Sequence, residues 1–107
     1  MPDPSDVFAA LGDPTRRQVF ALVAHGRAQT ATELAAALPV TRQAVSKHLA
    51  VLEGAQLVDG ERDGRTTRFH ATPAPLSDAI AWMAEVGGRW DERLGRLRAA
   101  AQERGSA

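Results

Sequence analysis

Apolar positions recur at Leu76, Ile80, Met83, Gly87, Trp90, Leu94, Leu97 and Ala101, in steps of 4, 3, 4, 3, 4, 3 and 4. A heptad pattern held this long specifies one extended helix with an apolar seam. Trp82 and Val86 widen the stripe. Such a helix, over 75–104, must pack against something: the chain's own first helix, the same helix of a second copy, or both. Gly87 and Gly88 weaken it by about 1 kcal/mol each relative to Ala. Gly87 falls on the seam, where it permits either a close helix approach or a kink.

Composition strengthens the demand for a partner surface. The chain has 107 residues, enough for a single domain 1–107. Its aromatic residues are Phe8, Phe20, Phe69, Trp82 and Trp90. A core of Ala, Leu and Val with so few rings is thin. An interface between two copies built from Phe8, Leu76, Ile80, Met83, Gly87, Trp90, Leu94 and Leu97 would bury what one copy leaves exposed. Trp82 and Trp90 read as core or seam before they read as a ligand box.

Composition also excludes functions. There is no Cys, so disulfides, thiolate metal sites and cysteine nucleophiles are ruled out. No run of 18 apolar residues marks a transmembrane helix, so no membrane partner is expected. Met1-Pro2-Asp3-Pro4 lacks the basic-then-apolar pattern of a signal peptide, and a cytoplasmic location is expected. Residues 1–4 should be a loose tail, and residues 105–107 should fray. No Ser, His and acid spacing suggests catalysis, and no Gly-rich loop follows a strand. The chain is expected not to be an enzyme and to carry no cofactor. The histidines, His25, His48 and His70, are far apart in sequence, and no metal site is expected of them.

Ahead of the seam, short helices follow one another. Ser5-Asp6 can cap a helix through Val7, Phe8 and Leu11 that stops at Gly12. Asp13 and Pro14 suit the N-cap and first position of the next, which runs to about His25. Arg16 and Arg17 then fall in its first turn, against the helix dipole. Either a phosphate near that end offsets the cost, or the two arginines are simply solvated. Arg27 to Ala31 reads as a polar link. Thr32 can cap a short helix through Leu34 and Leu38 that Pro39 ends.

Thr41 next caps a helix with two unlike faces. Val45, Leu49 and Leu52 form the apolar one. Arg42, Gln43, Ser46, Lys47 and Ala50 form the other, which suits base edges and phosphates. A short helix, a tight turn and this second helix make a helix-turn-helix layout. Two β-leaning runs, 57–61 and 66–71, then flank Arg62-Asp63-Gly64-Arg65, a hairpin signal. A hairpin with arginines at its tip after a helix-turn-helix is a wing, able to reach a phosphate backbone or minor groove. Pro73 and Pro75 separate it from the last helix.

With these elements placed, the chain resembles the ArsR family of small winged-helix repressors. The resemblance is carried by Ala10-Leu11-Gly12-Asp13-Pro14-Thr15-Arg16-Arg17, by Glu33-Leu34-Ala35, and by Gln43-Ala44-Val45-Ser46-Lys47-His48-Leu49 with Val51-Leu52-Glu53. Leu57-Val58 and Asp63-Gly64-Arg65 complete the series. It covers residues 5–72, and the last helix fits the family's dimer helix more loosely. The resemblance implies a mainly α fold with a small β-hairpin: a DNA-binding core at 5–72 with its wing at 57–71, and a dimerisation helix at 75–104. It implies a homodimeric repressor of double-stranded operator DNA, carrying an inverted repeat. The helix at 41–52 would enter the major groove, and the wing at 62–68 would touch the flanks. Gln43, Ser46 and His48 match recognition positions, supported by Arg42 and Lys47. Arg62 and Arg65 match wing contacts, and Arg16 lies near the backbone. Such proteins usually answer to a signal, so a small-molecule effector of unidentified nature is a candidate partner.

Two departures stand out. Gln56 occupies a position where the family commonly has Gly and a helix must end. The residues around the Glu-Leu pair are Thr32, Ala36 and Ala37, where metal-sensing members carry thiolates, and the last helix has no His. Trp82, Trp90, Arg93 and Leu94 resemble the metal-independent branch. One alternative stays open. Net charge is zero, with 13 basic against 13 acidic residues, and a protein-interaction module that binds DNA weakly or not at all fits that balance. Clustering of Arg42, Lys47, Arg62, Arg65 and Arg68 on one surface would favour DNA, and dispersal would favour protein.

Overall fold

A computed structural model describes residues 3–105, so Met1, Pro2, Ser106 and Ala107 lie outside the described residues. The elements are α1 (Pro4–Ala10), α2 (Pro14–His25), β1 (Gln29–Thr30), α3 (Ala31–Ala36), α4 (Arg42–Gly54), β2 (Val58–Asp63), β3 (Thr66–Ala71) and α5 (Ala74–Gly105). Among the described residues no helix is long and apolar enough to cross a membrane.

The core is made by the inner faces of the helices and the base of the wing. Val7, Val19, Val23, Leu34, Val45, Leu49, Leu52, Leu57, Val58 and Ala79 are buried together. Val45, Leu49 and Leu52 turn inward as their helical spacing predicts. Gly60 lies opposite Phe69 in the wing. A Cβ there would stand 2.9 Å from Thr67 Cγ2 and 3.0 Å from Phe69 Cε1, so glycine leaves the space that the Phe69 ring fills on its way to the core.

Several boundaries differ from the sequence expectations, each for a local reason. Asp3 caps α1 in a capping box with Asp6, so Asp3 and Pro4 belong to the first helix and its cap and not to a loose tail. Thr30, and not Thr32, caps α3: Glu33 N–H donates to Thr30 Oγ1 at 3.1 Å, and Thr30 N–H donates to Glu33 Oε1 at 3.2 Å. This reciprocal pair satisfies two orphan donors where Thr32 would satisfy one. The supposed link before it contains β1, which pairs Gln29 with Phe69 and Thr30 with Arg68. The wing is thus a three-stranded antiparallel sheet in the order β1-β3-β2, and not a bare hairpin. Gly64, at φ 62°, takes the first central position of the turn, so strand pairing extends to Asp63 and Thr66. Only that residue has positive φ, the pattern of a two-residue type II′ turn.

Arg16 and Arg17 are not simply solvated. Arg16 Nη1 donates to the carbonyls of Ala9 and Ala10 at 3.4 and 3.2 Å, and Arg17 Nη1 to that of Leu11 at 2.8 Å. They close the C-terminal end of α1, where the dipole favours cations.

α4 ends in a Schellman motif. Leu57 N–H donates to Leu52 O, and Gln56 N–H to Glu53 O, both at 2.9 Å. The motif needs a left-handed residue at the position between helix and strand. Gln56 fills it at φ 59°, a conformation that glycine adopts without strain.

α5 has 32 residues, a rod of about 48 Å, and runs through Gly87 and Gly88 without a break. It presents two adjacent apolar faces. Pro75 and Ala79 are buried and Val86 is half-buried, while Trp82 meets Phe8 of α1 at 5.7 Å between ring centroids. Leu76 is drawn partly into the same core, away from the exposed seam it was expected to join. About a quarter-turn round the helix, Ile80, Met83, Trp90, Leu94 and Leu97 face outward, from 42% to 60% exposed.

Two stability predictions follow from the caps. Gln56→Gly should raise stability by about 0.5–1 kcal/mol, as relief of the left-handed strain outweighs glycine's entropy. The expected result is a higher urea midpoint with an unchanged slope. The second concerns acid. Asp13 caps α2 by accepting from Arg16 N–H at 3.0 Å. Its carboxyl lies below its usual range, chiefly through that bond, with help from the Thr15 N–H and the charges of His48 and Arg16. A depressed folded-state pKa gives stability that is full above the unfolded value and is lost as pH falls through the folded one. Asp13→Asn keeps the cap. Its thermal midpoint should therefore fall less steeply than the parent's below about pH 4.

Candidate nucleic-acid interface

Burial of Val45, Leu49 and Leu52 fixes the rotation of α4, and so decides what it shows to solvent. Arg42, Gln43, Ser46 and Lys47 are exposed together and rim one shallow depression. Thr41 Oγ1 caps the helix by accepting from Ala44 N–H at 3.1 Å, so this face opens at the helix N-terminus, the end that favours anions. His48 is a further 100° round from Lys47. It is half-buried on the flank, and its field reaches Asp13 at the start of α2. It therefore lies outside the polar face, beside the buried stripe of α4.

The wing brings its cations to the same place. Arg42 and Ser46 of α4 line a groove with Arg62, Arg65, Thr66 and Thr67 of the wing and with Thr30 and Thr32 beside α3. The register explains the convergence. Val58 pairs with Ala71, Gly60 with Phe69 and Arg62 with Thr67. Paired residues share a face, and alternate residues stay on it. Arg62 therefore shares the face of Val58 and Phe69, which turns toward the core and, beyond it, toward α4. Asp59, Glu61 and Asp63 occupy the other face, opposite His70, Arg68 and Thr66. Strand alternation separates Arg62 from the wing's carboxylates.

Of the five basic residues between 41 and 68, four are gathered on this surface. The fifth, Arg68, is engaged elsewhere: it pairs with Glu33 at 3.1 Å and Asp63 at 3.3 Å. Arg16 does not join the group, because its guanidinium is committed to the end of α1. The Glu33 carboxyl lies below its usual range, first through the N–H and hydroxyl of Thr30 and then through Arg68.

On the carboxylate face, Asp59, Glu61 and His70 each bring one ligating atom within 4.8 Å of the others. His70 Nε2 is 3.8 Å from Asp59 Oδ2. This donor set suits a divalent cation, but all three side chains are substantially exposed, and the strand register, which puts Asp59 opposite His70 with Glu61 on the same face, accounts for their proximity.

Sequence reasoning missed β1 and the engagement of Arg68. β1 is too short to announce itself, but Thr30-Ala31-Thr32-Glu33 is a capping-box pattern that puts the start of α3 two residues earlier than expected. No local signal announces the second, since Glu33 and Arg68 are 35 residues apart.

Known proteins share this architecture. The helix-turn-helix domain family matches residues 11–61. Transcriptional repressor SdpR of Bacillus subtilis is 30% identical over 90 residues, covering 84% of this chain and 99% of that protein. The solved structure of an ArsR-like transcriptional regulator from Rhodococcus sp. RHA1 superposes with a TM-score of 0.80 at 37% identity, covering 92% of each chain. A homodimeric winged helix-turn-helix DNA-binding domain from Mycobacterium bovis, a possible ArsR-family regulator, aligns with a TM-score of 0.60 at 25% identity, over 82% of this chain and 78% of that one. With its helices, wing and terminal helix in the same order over almost its whole length, the chain belongs to the ArsR family of winged helix-turn-helix transcriptional regulators.

Proposed function

We propose that the chain is a homodimeric repressor that binds an inverted-repeat operator. α4 enters the major groove and the wing contacts the flanking backbone. The observation that carries this reading is the single groove where Arg42 and Ser46 of α4 meet Arg62 and Arg65 of the wing, with the wing's acidic residues turned to the opposite face. A helix fits the major groove, where Gln43 can address an adenine edge, Arg42 a guanine, and Ser46 either. Lys47 supplies a phosphate contact, and His48 reaches only the margin of the surface. The zero net charge that motivates a protein-interaction module is answered by this segregation, since the field at a surface depends on where charges sit.

Dimerisation follows from α5. Ile80, Met83, Trp90, Leu94 and Leu97 form an exposed apolar stripe on a helix that projects from the domain, with Gly87 between them and Phe8 beside them. A second copy of the same stripe is the self-complementary cover that a two-fold dimer supplies. Two α4 helices would then face successive major grooves, roughly 34 Å apart. Repression is steric, by occupation of a promoter.

Binding to the protein's own upstream DNA should be selective over a scrambled duplex and should weaken with salt. Arg65→Ala should weaken binding to both duplexes alike and lower the salt slope by about one. Unchanged affinity and slope would remove the wing from the interface. Trp90→Glu should convert the dimer to monomer in sedimentation, whereas a variant that stays dimeric would place the interface elsewhere.

A further inference from the structure

We infer that Arg68 is a positioning residue for the DNA surface: it clamps the wing tip to α3 without contacting phosphate itself. This rests on the DNA-binding reading above. Arg68 lies in the central strand, opposite Thr30 of β1 and Glu61 of β2. Its Nε donates to Asp63 Oδ2 at 3.3 Å, and its Nη1 to Glu33 Oε1 at 3.1 Å and to Ala28 O at 3.5 Å. One guanidinium thus joins the residue before the wing turn, the first helix of the helix-turn-helix, and the segment leading into β1.

The need for such a clamp is visible in the burial pattern. Val58, Phe69 and Ala71 anchor the base of the wing to the core, while residues 61–66 are all exposed. No apolar contact fixes the tip, yet Arg62 and Arg65 sit there. Exposed ion pairs contribute little to global stability. Here they set an angle, because Glu33 is itself held by the α3 capping box. The planar fork of arginine can serve acceptors in several directions at once, which an ammonium does less well.

The test is Arg68→Gln in the full chain, read in two ways. In the free protein, amide order parameters or hydrogen exchange at 62–66 should show a loosened wing tip with α4 unchanged. An equally ordered tip would overturn the clamp whatever the DNA result. In DNA binding, affinity should fall about five- to tenfold at every salt concentration while the salt slope stays as in the parent. A slope lowered by about one would make Arg68 a direct phosphate contact and overturn the inference. Failure of the DNA reading itself would look different, since the parent protein would then show no selective binding while the wing-tip measurement still decides the clamp.

Discussion

Burial of one stripe on α4 governs this molecule. Val45, Leu49 and Leu52 are sunk among α2, α3 and the wing base, and a helix cannot turn about its axis once three such positions are locked. Large-to-small changes at sites of this kind typically cost about 2–5 kcal/mol. The same burial that stabilises the domain aims Arg42, Gln43, Ser46 and Lys47 at solvent. Function and stability are opposite faces of one helix, and neither can be re-aimed without the other.

The wing solves a charge problem. It carries three carboxylates and three arginines, and a random arrangement would cancel their fields. Antiparallel alternation prevents this, placing Arg62 on the face of Phe69 and Asp59, Glu61 and Asp63 on the reverse. Arg65 lies in the turn, outside the alternation. Arg68 falls on the acidic face and is consumed there by Glu33 and Asp63. A chain of zero net charge can therefore present a locally cationic groove.

α5 divides its apolar residues between two tasks. One face closes the core through Pro75 and Ala79 and meets α1 through Trp82 and Phe8. The neighbouring face carries Ile80, Met83, Trp90, Leu94 and Leu97 outward. The division makes physical sense for a small domain whose core has few rings: area that one copy cannot bury is left for association.

Local sequence determined much of this. The inward face of α4, its Thr41 cap, the Asp13 cap of α2, the strands around Gly64 and the length of α5 all follow from periodicity and capping chemistry, which act within a few residues. Tertiary structure decided the rest, because it depends on contacts between distant residues. Arg16 and Arg17 look like free cations until α1 delivers its carbonyls to them. β1 is too short to signal itself and exists only because β3 offers an edge. Leu76 belongs to the seam by spacing and to the core by packing. Heptad spacing marks a face, but the docking of α1 on α5 determines which part of that face remains open. The groove itself joins α4 to residues of the wing some 20 positions away, and only the register of β2 and β3 decides that Arg62 points into it while Arg68 does not.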